Sequence, residues 1–304
     1  MALDSDYFVD RKRLKRRLAS WRIVAVLAVI AAVAAAYGRF GDGLSGGDHI
    51  ARVDIKGVIV HDDHRLKKIS DIARNVGVKA VIIRINSPGG TVVGGETLHK
   101  AFIDLAAAKP VVALIEGIGT SAAYMTAIAA DRIYVREATL TGSIGVLLQT
   151  TEVTGLLEMI GVSAKAFKSG SLKAVPSPLE PLSPEVEAAT QSLVTDMYTM
   201  FRDMVLRRRG LSHADEKRFS DGRAFTGRQA LAAGLVDEIG GEEAAVTWLE
   251  TTRDVPEGLK IRNVNLQNDS NDLIGRLYSL ARKTILSERL TLDGLISLWH
   301  PQLR

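Results

Sequence analysis

The chain has 304 residues, 46% of them hydrophobic and none of them cysteine, with 39 Lys plus Arg against 35 Asp plus Glu and a net charge of +4. That length and apolar content suit one large folded domain or two ordinary ones, and the lack of thiols excludes a disulfide framework or a thiolate metal site. Residues 1–22 hold seven basic and three acidic residues, an excess equal to the whole net charge, so the rest is neutral and offers no nucleic-acid footprint.

Directly after that basic stretch, Ile23–Tyr37 is apolar throughout, flanked by Trp21 and Arg22 and by Arg39 and Phe40. Such a run is apolar on every helical face. As a helix it covers about 22 Å against a hydrocarbon core of about 30 Å, a gap that snorkelling arginines and interfacial aromatics can close. Residues 23–39 therefore read as a transmembrane anchor. A cleaved signal peptide ending in Ala34, Ala35 and Ala36 and a buried core helix are the competing readings. Under either membrane reading the basic segment 1–22 stays in the cytoplasm and residue 40 onward lies across the membrane. The segment 40–49, rich in Gly and Ser, reads as a linker.

From Ile50 the pattern becomes layered α/β. Ile50–Val60, Ala80–Ile85, Val111–Ile115, Arg132–Val135 and Ala164–Lys168 are strand candidates; Arg65–Val76, Gly95–Ala107, Ser121–Ala130 and Glu152–Ile160 have helical length and spacing. Strands alternating with helices predict a mainly parallel sheet with both faces covered. A long helix is expected over Glu185–Arg209 and ended by Gly210, followed by a short capped helix in Thr226–Leu235. The body is expected to run over residues 50–270, and 271–304 form an amphipathic carboxyl-terminal segment that contains Trp299.

Two glycine-containing stretches follow strands and open helices. Asn86-Ser87-Pro88-Gly89-Gly90 can bring backbone N–H groups close to a ligand, although such a turn on its own is most often only a turn. Gly117-Ile118-Gly119-Thr120-Ser121-Ala122-Ala123-Tyr124 places Ser121 at a helix start, where an ordinary N-cap serine is the plainer reading. A serine nucleophile needs a base, and no histidine occurs between His99 and His213. Lysine is left, and Lys168-Ser169-Gly170-Ser171-Leu172-Lys173 supplies two. An ordinary lysine is almost wholly protonated at pH 7, so a lysine base needs about 4 kcal/mol of preference for its neutral form, which burial can provide. The six histidines show no HExxH pair, and no metal or cofactor is expected.

Taken in order, SPGG, TSAAYMTAIAADRIY, TLTGSIGV, KSGSLK and the stretch from Ser220 to Gly240 resemble the signal peptide peptidase A family of bacterial membrane-anchored serine peptidases, from about Ile50 to Leu249. The resemblance implies a Clp-protease/crotonase-like α/β fold with mainly parallel sheets, preceded by an amino-terminal transmembrane helix, and a Ser/Lys dyad. On this chain it assigns Ser121 as nucleophile, Lys173 as general base and acid, Ser143 as the residue that orients Lys173, and backbone N–H groups of Ala122 and of Gly89 or Gly90 as oxyanion donors. One departure is that Ala122-Ala123 stands where the family usually has Gly-Gly. The family's function implies hydrolysis of remnant signal peptides and other short or unfolded chains, at the bacterial inner membrane with the catalytic domain on the periplasmic side. It also implies a homo-oligomer, with about eight subunits as the family expectation, and no nucleic-acid partner. A crotonase-like acyl-thioester enzyme and a catalytically inactive membrane scaffold of the same fold are the alternatives.

Overall fold

The computed structural model describes residues 20–30, 32 and 47–266, together with the backbone of 296–298. The chain divides into two units, residues 1–47 and residues 48–304. In the first, helix α1 takes in residues 20–30, and its apolar side chains, from Trp21 to Ile30, are exposed. Among the described residues no helix is long and apolar enough to cross a membrane. Most of the basic segment, the far end of the expected anchor, most of the linker and most of the carboxyl-terminal segment lie outside the described residues.

The second unit is built on an eight-stranded sheet. Strand β1 (His49–Lys56) lies between β2 (Val78–Ser87) and β9 (Lys260–Val264), parallel to both. Strand β2 pairs in parallel with the long β4 (Val111–Thr120), and there the sheet forks. The first half of β4 takes β5 (Arg132–Val135), which takes β8 (Glu238–Ile239); its far end takes β6 (Leu140–Gly142). Strand β7 (Ala224–Thr226) closes that branch and is its antiparallel member. The sheet is thus mainly parallel, as the alternating pattern predicts.

Period-two alternation explains why the central strands read as unbroken apolar runs. Val81, Ile83, Val111, Ala113 and Ile115 face the larger core, while Ala80, Ile82, Val112 and Leu114 face a smaller one on the other side. All of these are buried, and each large aliphatic side chain so covered contributes about 1.5 to 3 kcal/mol. Helices α2 (Asp63–Arg74), α3 (Val92–Ala106), α4 (Ala122–Ala127) and the long α6 (Pro184–Arg209) contribute to the larger core; α8 (Glu242–Thr252) covers the smaller one.

Helix α6 matches its expected span, starting at a Ser183 cap whose hydroxyl accepts from the Val186 N–H and ending at left-handed Gly210. Helix α7 (Gly227–Ala232) opens on a capping box between Thr226 and Gln229. The remaining short helix, α5 (Thr154–Met159), buries no residue. The expected strand at Ala164–Lys168 is not formed: these residues have no sheet partner, and all but Lys168 are exposed. Conversely, Gly89–Thr91 is a short strand, β3, rather than only a turn, and the backbone of β10 (Ile296–Leu298) pairs antiparallel with it.

Candidate active site

The parallel strands β2, β4 and β6 all end on one side of the sheet, the side where open α/β sheets usually place ligands. Register fixes what meets there. Ser87 lies opposite Gly119, and Thr120 lies opposite Gly142. Ser121 and Ser143 are each one residue beyond the second pair, so they leave adjacent strands side by side, about 4.8 Å apart in the hydrogen-bonding direction. The Ser121 N–H donates to the Gly142 carbonyl at 2.8 Å, and the Ser143 N–H donates to the Arg223 carbonyl at 2.9 Å.

Both serines have left-handed backbones, φ 58° at Ser121 and φ 50° at Ser143. Each such residue costs about 1 to 3 kcal/mol and persists where the surroundings over-determine it, typically at functional sites. Those surroundings are visible. Thr120 Oγ1 donates to the Pro88 carbonyl at 3.0 Å, tying the end of β4 to the Ser87–Gly90 stretch, and Thr141 Oγ1 donates to the Gly119 carbonyl at 2.8 Å. Ser121 stands at the start of α4 but its side chain makes no cap bond, so it is not the ordinary N-cap serine. The first N–H groups of α4, Ala122 among them, have no acceptor within the helix.

Helix α4 is held from several directions. Tyr124 is fully buried and its hydroxyl donates to the Leu235 carbonyl at 2.7 Å; burial pushes its phenol pKa well up. His99 Nδ1 lies 2.8 Å from the Met125 carbonyl, and burial holds the imidazole below its ordinary pKa. Arg208 of α6 donates to the carbonyls of Ile128, Ala129 and Ala130 at 2.7, 3.1 and 3.0 Å, satisfying the end of the helix. The alanine at the position after Ser121 also has a local account. A Cβ on Gly95 of α3 would meet the Ala122 Cβ at 2.9 Å, so the missing side chain on α3 makes room for the methyl on α4.

The glycine stretch is equally constrained. Ile59 donates its N–H to the Gly89 carbonyl and accepts from the Thr91 N–H, both at 2.8 Å. Strand alternation then turns the N–H and C=O of Gly90 to the opposite edge. A Cβ on Gly90 would lie 1.8 Å from the Ile59 carbonyl oxygen, so only glycine fits. The Gly89 N–H donates to Ser87 Oγ at 3.2 Å.

Ser121, Ser143, Ala122, Gly89 and Gly90 are all buried and converge at these strand ends. Lys173 does not share that burial. It is exposed, its backbone N–H donates to the Gly170 carbonyl at 3.1 Å, and its ammonium makes no hydrogen bond or ion pair among the described residues. The neighbouring Lys168 is instead ion-paired with Glu180. Sequence reasoning missed Thr120, Tyr124 and Arg208. Only the TSAAY and RRR strings hinted at them, because their partners are backbone carbonyls distant in the chain. Among the described residues no group of His, Asp and Glu could hold a metal ion.

Comparison with known proteins gives the family. Residues 103–256 match peptidase family S49. A Synechocystis sp. protein that carries the name of a protease is 36% identical over 231 residues, 75% of this chain and 82% of that one. The chloroplastic serine protease SPPA of Arabidopsis thaliana is 31% identical over 232 residues, 76% of this chain and 34% of that longer protein. Among solved structures, a ClpP1 variant from Listeria monocytogenes aligns with a TM-score of 0.41 and 17% identity, covering 64% of this chain and 92% of its own.

Proposed function

The chain belongs to peptidase family S49 and is a serine-type peptidase, and from that premise we propose that Ser121 is its nucleophile and Lys173 its general base. The single observation that carries the first assignment is the Ser121 backbone, held at φ 58° at the end of a central parallel strand, with its hydroxyl not used as a helix cap. In the reaction Ser121 Oγ attacks the scissile carbonyl, Lys173 accepts the hydroxyl proton and passes it to the leaving amine, and water then releases the acyl group by the same route. Ser143, on the neighbouring strand end, orients the lysine amine. The N–H groups of Ala122 and Gly90 receive the oxyanion; Gly90 is preferred to Gly89 because the Gly89 N–H is turned to Ser87 Oγ. Each such donor is worth about 3 to 4 kcal/mol in the transition state.

Lys173 must lose water to act, and in this chain alone it is exposed. Its stretch also exposes Phe167 at 98%, Met159 at 83% and Ile160 at 62%, a concentration of apolar surface that fits a contact with another copy. Assembly into a homo-oligomer, with about eight copies as the family expectation, supplies the desolvation that the base requires. The amino-terminal segment anchors the protein in the bacterial inner membrane with the peptidase body on the periplasmic side. The support for this is the charge step across residues 1–22 and a helix α1 whose apolar side chains are all exposed. Substrates are remnant signal peptides and other short or unfolded chains.

Covalent labelling with a fluorophosphonate probe tests the reading. The probe attaches at Ser121, and Ser121→Ala and Lys173→Ala abolish attachment. Labelling that survives in both variants would sink the assignment. Dilution that separates the copies lowers specific activity; activity constant across dilution removes the assembly step.

A further inference from the structure

Helix α3 carries two consecutive glycines, Gly94 and Gly95, in its first turn, and both are buried. Glycine is the poorest helix former after proline, so its place inside a helix calls for a reason in packing. A Cβ on Gly94 would meet the Val60 carbonyl carbon at 2.8 Å and the Val60 Cα at 2.9 Å. One on Gly95 would meet the Ala122 Cβ at 2.9 Å, the Met125 Sδ at 3.1 Å and the Ala122 Cα at 3.2 Å. The first turn of α3 is thus wedged between the chain at residue 60 and helix α4. One turn further along the same face, His99 Nδ1 lies 2.8 Å from the Met125 carbonyl. Helix α3 therefore meets α4 at two points, at Ala122 through Gly95 and at Met125 through His99.

Neither helix can yield. The Val60 backbone stops α3, whose Thr91 cap accepts the Gly94 N–H at 3.1 Å. Helix α4 is stopped by the Tyr124 bond to Leu235 and by Arg208 at its far end. A methyl added at Gly95 would press on Met125 Sδ, which ends a flexible side chain and can move aside. It would also press on Ala122, which is backbone and a single methyl and cannot.

Resting on the peptidase reading above, we infer that Gly95 is a positioning residue: it sets how closely α4 seats against α3, and so where the Ala122 N–H aims at the oxyanion. Gly95 and Ala122 are a matched pair with room for one methyl between them and not for two. Gly95 touches neither substrate nor reacting atoms and acts only through Ala122. A donor moved off its aim loses stabilisation of the transition state while substrate binding is unaffected, so the loss falls on kcat and leaves KM alone.

The test uses the full chain, with rates measured well below each variant's melting temperature. Losing an oxyanion donor outright costs about 10²- to 10³-fold in kcat, so the partial displacement caused by Gly95→Ala should cost about 10-fold, at unchanged KM and with an equal fall in the rate of fluorophosphonate labelling. Adding Ala122→Gly moves the methyl from α4 to α3, keeps the N–H at position 122, and should recover most of the lost rate. A merely structural role for Gly95 would lower the melting temperature and leave the kcat of the folded enzyme where it was. Equal kcat in Gly95→Ala and the unaltered chain overturns the inference, and so does a loss that Ala122→Gly does not relieve. If Gly95→Ala alone does not fold, the double variant decides. Folding with labelling within a few-fold of the unaltered chain supports the matched pair; failure to fold, or labelling about 10-fold slower, overturns it. Absence of labelling in the unaltered chain is a different result, which overturns the nucleophile assignment and the oxyanion role of residue 122 with it.

Discussion

Ser121 and Lys173 occupy contrasting surroundings. The serine ends a central strand, is 1% exposed, and sits on a short helix tied to α3, α6 and the chain near Leu235 by His99, Arg208 and Tyr124. The lysine lies in a run from residue 147 to residue 183 whose helix α5 buries nothing, and it adds no side-chain bond of its own among the described residues. A nucleophile needs an accurate backbone position, which a sheet provides within one chain. A lysine base needs a dry environment, which an exposed segment obtains only when another surface covers it. The two halves of the proposed dyad therefore make different demands on stability.

That contrast can be broken at several points. The largest effect is expected for Ser121→Ala: peptide turnover should fall by about 10⁴-fold or more, with little change in melting temperature, as initial rates and calorimetry would show. Lys173→Met should lower turnover by about 10³-fold and leave the melting temperature unmoved. Clear destabilisation by Lys173→Met would mean that the lysine is already part of the packed body, and the contrast would fail.

Tyr124→Phe acts on the packed half. It leaves the buried Leu235 carbonyl without its donor and should cost about 1.5 kcal/mol in urea unfolding. Its effect on labelling of Ser121 should be larger than that of any conservative change at the exposed Phe167.

The smallest effect concerns pH. Arg84 holds the Asp54 carboxylate with two hydrogen bonds at 2.7 and 2.8 Å and lowers its pKa to about 2. A depressed carboxylate stabilises the fold above its ordinary pKa, and the contribution disappears as pH falls from about 4 through about 2. Discounted for its partial exposure, it is worth about 1 kcal/mol. Asp54→Asn should therefore be less stable by that amount at pH 7 and converge with the unaltered chain near pH 2.

Much of the sheet was legible because β2, β4 and β5 bury both faces and so leave continuous β-branched runs in the sequence. The three-residue strands β3, β6 and β7 were not, since each is defined by a partner far along the chain rather than by its own composition. Ala164–Lys168 misled for the opposite reason. Its alternation suits a strand, but nothing in a local pattern says whether a partner exists. At the site, glycines marked where Ser121 lies, while its positive φ and the Thr120 bond to Pro88 are tertiary facts. Lys173 could be singled out through the family resemblance, and no local signal reported its exposure.

The pairing of β1 with β9 has a bearing on how the body comes into being. Arg52 on β1 reaches Asn263 on β9 across 211 positions, and five register pairs join the two strands. Until nearly all of the described body has emerged, β1 keeps one flank without its neighbour, and closing so long a loop makes completion of the sheet intrinsically slow. A nascent chain would thus carry an adhesive border for most of its synthesis, and the last strand of the eight-stranded sheet to arrive is the one that seals it.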